Sequence, residues 1–188
     1  MKGFVFGVAL TILVITAVVY IYFATGMAPV ATSAPPMPFE KKLAGMALHA
    51  RLAKEMPTQV PVAADEANLV AGAHVYLEQC AVCHGIPGKD QSAIAKGEFP
   101  PPPQLFKGKG VTDDEPGETY WKVSNGIRLT GMPGFSQQLS TTEMWQVSLL
   151  VAHADKLTEA VKNVLASPNP ASASSEMVPA KPQSKAQH

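Results

Sequence analysis

The sequence predicts an all-helical fold, and three observations carry that prediction. Apolar residues recur at helical spacing in several windows. No window alternates apolar and polar residues as a half-buried strand does, and Pro and Gly fall mainly between the windows. The chain has 188 residues, 15 of them basic and 15 acidic, with no net formal charge. Such a balance lacks the electrostatic footprint of a nucleic-acid binder, so no nucleic-acid partner is expected.

Taking the elements in order, Phe4 to Ala24 contains neither charge nor proline. About 20 apolar residues are what a helix needs to cross the hydrocarbon layer. A cleavable signal usually has an apolar stretch of only ~7–15 residues. Residues 1–25 are therefore expected to be an uncleaved single-pass anchor, the alternative being cleavage near Ala31 and Ala34. Lys2, the charge ahead of the run, keeps the N-terminus cytoplasmic and places the remainder outside. Residues 26–60 read as a Pro/Ala-rich stalk with one short helix. There Phe39, Leu43, Met46, Ala50 and Ala53 hold helical spacing until Pro57 and Pro61, and His49 reads as solvated.

A domain over residues 61–162 follows. Asp65 is a fitting N-cap for a helix that aligns Leu69, Ala73, Tyr76, Leu77 and Cys80. Residues 85 to 111 read as loop, with Gly85, Gly88, Pro100 to Pro103, Gly108 and Gly110. A further helix spans Gly117 to Ser124 and stops at Asn125-Gly126. Ser140-Thr141-Thr142-Glu143 is a capping box opening a helix with Met144, Val147, Leu150 and Val151 on one side. Residues 163–188, rich in Pro, Ser, Ala and Gln, are expected to be disordered, because they cannot offset their ordering entropy.

The two cysteines of the chain both lie in CAVCH, residues 80–84. Structural zinc wants four ligands, and no second CxxC or HxxxH follows. A thioredoxin-like pair expects a βαβ setting that this sequence lacks. A disulfide across two residues would close a tiny loop and stabilise little. Covalent attachment of one haem c uses every member of the motif. Cys80 and Cys83 add across the two vinyl groups, and His84 is carried beneath the iron as a ligand.

With AGAHVYLEQCAVCHG, EFPPPPQL, YWKVSNGIRLTGMPGF and STTEMWQVSLLVAHADKL, residues 65 to 157 resemble the single-haem class I cytochromes c of the membrane-anchored bacterial type. The resemblance implies that family's fold, a small helical bundle around a covalent haem, here behind an N-terminal transmembrane helix. It implies that Gly72 and Tyr76 pack against the last helix near Trp145 and Leu150. It also implies that the free ring nitrogen of His84 donates to a backbone carbonyl in the proline run, with Pro103 the expected acceptor.

An electron carrier wants both faces of its iron filled, and thioether sulfur raises the potential. Of eight methionines, Met132 stands in a Gly-Met-Pro-Gly loop where the glycines allow tight turning. Met144 belongs to an apolar helix stripe and reads as core. The resembling family has its axial methionine in a matching loop, so Met132 is the expected second metal ligand beside His84. Asn125 and Arg128 read as either propionate neighbours or solvated surface; His74 and His153 read as solvated, and Tyr120 and Trp121 as core aromatics.

The function expected is that of a non-enzymatic carrier of single electrons between respiratory or photosynthetic complexes. It would be tethered to a bacterial inner membrane with the haem domain on the periplasmic side. Its partners would be the membrane and donor and acceptor redox proteins, with no small-molecule substrate. The alternatives are a fixed cytochrome c subunit of a larger membrane oxidoreductase and, with an open iron, a haem sensor or peroxidase.

Overall fold

A computed structural model describes residues 1–107 and 114–167. Among these residues every regular element is helical. By its internal contacts the chain divides into two units, residues 1–47 and 48–188.

The first unit begins with α1, Lys2–Ala24. It has a mean hydropathy of 2.7 and no buried residue, and is long and apolar enough to cross a membrane. The hydroxyls of Thr11 and Thr16 donate back to the carbonyls of Gly7 and Ile12, each at 2.9 Å. Polar groups satisfied inside their own helix are compatible with hydrocarbon. The helix α2, Glu40–Glu55, starts in this unit and ends in the second.

In the second unit α2 buries a different stripe from the one its sequence suggested. Leu43, Met46, Ala50 and Ala53 are exposed, whereas Leu52 is buried, with Leu48 and Met56 half-buried one turn to either side. Both stripes keep the three-to-four-residue spacing of a helix, so periodicity alone does not choose between them; the neighbouring helix does. The stretch from Leu48 to Pro57 lies in the second unit, ahead of residue 61, where the domain was expected to start.

The helix α3, Glu66–Val75, is capped as expected: the Asp65 carboxylate accepts from the Asn68 backbone N–H at 2.9 Å. It continues through a π-helical turn, Tyr76–Cys80, into the short α4, Ala81–His84. Helix α5, Ala93–Gly97, interrupts the expected loop, started by Ser92. Next come α6, Pro116–Asn125, and α7, Thr141–Ala152, whose Ser140–Glu143 capping box forms in both directions. Finally α8, Glu159–Ala166, carries regular structure beyond residue 163, where the tail was expected to begin. The expected disorder of the remaining tail, and Gly108 and Gly110, lie outside the described residues.

The core sits where α3, α7 and α8 meet, around Ala73, Tyr76, Val147, Leu150, Val161 and Leu165. Gly72 makes the α3–α7 crossing possible, because a Cβ there would fall on the carbonyl of Gln146. Helix α6 joins α7 through the stacked rings of Tyr120 and Trp145, 4.2 Å between centroids. The Tyr76 ring meets Phe106 edge-on at 4.9 Å, and its hydroxyl donates to Gly85 O at 2.6 Å. Burial pushes the Tyr76 pKa upward, so the phenol keeps the proton it donates.

Candidate functional site: a cleft behind the CAVCH motif

A cleft of about 320 Å³ opens beside the core, with Cys80, Cys83 and His84 on it, Pro103 and Met132 lining it too, and largely apolar walls. Its size is that of a small-molecule or cofactor site. The CAVCH motif reaches it because α3 delivers the chain through the π-helical turn. Such turns insert one residue into the helical register and often stand at functional sites. Gly85, at φ 77°, then ends α4 in the left-handed region, where glycine alone is unstrained.

His84 is oriented by a proline carbonyl. Its Nδ1 lies 2.8 Å from Pro103 O. A carbonyl only accepts, so Nδ1 carries the proton and Nε2 keeps its lone pair. Burial lowers the His84 pKa, opposed by the Pro103 hydrogen bond and the charge of Glu98, so the neutral, ligating form is favoured. The neighbouring Pro102 carbonyl accepts instead from Gln91 Nε2 at 3.1 Å, which fixes the register of the proline run.

The thiols are not paired with one another. Burial, and secondarily Cys83, push the Cys80 pKa up to about 12. Cys83 rises to about 11 through burial, a hydrogen bond to Glu98 and the charge of that carboxylate. The Cys83 Sγ–H donates to Glu98 Oε1 at 3.3 Å. Glu98 also packs against the methionine loop, its carboxylate 2.7 Å from where a Cβ on Gly131 would sit.

The loop of Met132 is docked by its backbone onto the end of α6. Gly126, at φ 68°, faces Gly134 so closely that a Cβ would stand 2.5 Å from Gly134 N and 2.8 Å from Met132 O. Phe135 N donates to Val123 O at 2.9 Å and Met132 N to Thr130 Oγ1 at 3.1 Å. Met132 is half-buried on the cleft, whereas Met144 is 4% exposed within the core. Asn125 spends its side chain on Trp121 O at 2.9 Å, and Arg128 is exposed. His49 and His74 are exposed, while His153 donates to Leu149 O at 2.8 Å.

Among the cleft residues that sequence reasoning missed are Leu48, Glu98, Asp114 and Lys122. Burial works against the Lys122 ammonium, but hydrogen bonds and charge from Glu118, at 2.7 Å, and Asp114, at 2.9 Å, outweigh it and raise the pKa. The i, i+4 spacing of Glu118 and Lys122 is the one signal of that pair in the sequence.

The donor set fits a metal that brings its own chelator. Among the described residues no group of three or more His, Cys, Asp and Glu side chains could hold a bare ion. The cleft instead offers an imidazole, a thioether and two thiols in apolar surroundings, which suits a porphyrin and its iron.

Residues 67–149 match the family model described as cytochrome c oxidase, cbb3-type, subunit III. No curated protein matches the chain. Among solved structures, a chain of the Kuenenia stuttgartiensis reducing HAO-like protein complex Kustc0457/Kustc0458 is 26% identical, over 52% of this chain and 48% of that one, with a TM-score of 0.45. This chain thus spans about half the length of that relative, and the likeness is too loose to bear on the fold. The family match falls on the segment that builds the cleft, and such a domain implies covalent haem c, electron transfer and redox protein partners. By that match and the all-helical structure around CAVCH, residues 67–149 are a c-type cytochrome domain.

Proposed function

We propose that this chain is a membrane-tethered monohaem cytochrome that passes single electrons between larger complexes. In this reading Cys80 and Cys83 would hold one haem as thioethers, His84 and Met132 would ligate its iron, and the Pro103 carbonyl holds the His84 ring. The iron supplies the chemistry, a one-electron change between Fe(II) and Fe(III). The protein contributes an apolar cleft, a fixed imidazole and a sulfur on a loop braced by α6. The observation that carries the reading is the His84–Pro103 hydrogen bond on the cleft wall beside both thiols. Helix α1 would anchor the chain in a bacterial inner membrane with the haem domain on the periplasmic side.

Acid-acetone extraction of the denatured, purified protein tests the attachment. Haem held by two thioethers stays with the polypeptide and adds its mass, and Cys80→Ser or Cys83→Ser abolishes or weakens maturation. Quantitative release of haem from wild type overturns the assignment.

The description of the matching family, an oxidase subunit, supports a second reading: a fixed cytochrome subunit of a membrane oxidoreductase. Stoichiometric co-purification with other membrane proteins in mild detergent favours that reading, and isolation of the chain alone favours the carrier.

A further inference from the structure

Residues 48–57, the C-terminal half of α2 and the two residues after it, meet the cytochrome domain at four points. Leu48 lines the cleft. One turn on, Leu52 is 3% exposed. Trp121 Nε1 donates to Glu55 Oε2 at 3.2 Å, and Glu55 is itself held by Arg51 at 2.8 Å. Beyond the helix, Gly117 at the start of α6 packs so closely on Pro57 that a Cβ would overlap the Pro57 carbonyl. A mere spacer between anchor and domain needs none of these contacts. Spaced four apart, Leu48, Leu52 and Met56 make one stripe laid on the domain, while Leu43, in the first half of the same helix, is 62% exposed.

We propose that residues 48–57 are a wall of the haem cleft rather than part of a stalk, and that Leu48 is a positioning residue that keeps water off that flank and thereby raises the reduction potential. This inference rests on the haem reading given above. Oxidised iron–porphyrin carries one more positive charge than the reduced form. Water admitted to the cleft stabilises that charge, whereas an apolar wall disfavours it. Burial and solvent access are among the means by which a protein sets a haem potential. Leu52, Glu55 and Pro57 act through Leu48, by holding the helix that presents it.

Equilibrium redox titration of the full-length haem protein tests the proposal with Leu48→Ser, Leu48→Met and Leu43→Ser. Leu48→Ser is expected to lower the midpoint potential, Leu48→Met to restore it close to wild type, and Leu43→Ser to leave it unchanged. A potential in Leu48→Ser equal to wild type, with the same visible spectrum, overturns the proposal, as does an equal fall in Leu43→Ser. Should Leu48→Ser fail to mature, Leu48→Ala decides by the same criterion, since it shortens the side chain without adding a polar group. Absence of covalent haem from the wild-type protein would instead overturn the haem reading, so the two failures are distinct.

Discussion

Met132 and Met144 carry the same thioether, and their surroundings give it different work. Met132 is half-buried on the cleft, on a loop whose backbone is pinned to α6, whereas Met144 is 4% exposed among core side chains. Met132→Ala is expected to abolish the sulfur–iron charge-transfer band of the oxidised protein, lower its potential and admit carbon monoxide to the reduced iron. Unchanged spectra and potential would show that another residue is the ligand. Met144→Ala is expected to cost about 2–5 kcal/mol in denaturant unfolding while leaving those spectra intact, because it opens a cavity in packed surroundings. That Met132 would share a cleft with CAVCH, and Met144 the core, was legible in the sequence. CAVCH and the glycines around Met132 are local patterns, and local patterns report local chemistry. Glu98 was not legible: it reaches Cys83 and Gly131 only through the fold, and no spacing in the chain announces that meeting.

Helix by helix, the junctions depend on particular small residues and caps. Gly72→Ala places a methyl on the Gln146 carbonyl, and backbone cannot move aside as a side chain tip can. A loss of about 3 kcal/mol is expected, at the upper end of ordinary overpacking. Gly97→Ala, with nothing within 4 Å of its Cβ position, is expected to be neutral or to stabilise by up to ~1 kcal/mol; urea titrations of the two variants make the comparison. The start of α7 adds a pH dependence. Hydrogen bonds from the Ser140 hydroxyl and backbone N–H hold the Glu143 carboxyl below the usual carboxylate range. A carboxyl pKa depressed by folding stabilises the folded state at neutral pH, and that contribution is lost as pH falls from about 4 through the folded value. Glu143→Gln should therefore melt lower than wild type at pH 7, with the difference narrowing in acid; a difference that is constant with pH would remove the ionised group from the explanation. This capping box was readable from four consecutive residues. The choice of buried stripe on α2 was not, because Leu43–Met46–Ala50 and Leu48–Leu52–Met56 are equally periodic. Trp121 and Gly117, more than sixty residues away, decide between them.

At the scale of the whole chain, the helical class and the position of the apolar N-terminal run follow from composition and period, while the border of the haem domain follows from tertiary contacts that no window contains. That border changes the expected reach of the tether. With α2 helical, the irregular chain between α1 and α2 is Thr25–Phe39, at most about 50 Å when extended. For a tethered carrier, inserting about ten flexible residues after Ala34 should slow electron delivery to a membrane acceptor only about twofold, since effective concentration falls roughly as the −3/2 power of linker length. A tenfold or greater loss would favour a fixed subunit whose placement the linker dictates. The continuity of α2 has a mechanical consequence as well. Any tension arriving from the anchor side meets residues 40–47 first, which are largely exposed, and such turns open at little free-energy cost. Unspooling them from ~1.5 to about 3.4 Å per residue pays out roughly 15 Å of slack. For a tethered cytochrome the first two turns of α2 would thus act as a fuse, yielding under load ahead of Leu48.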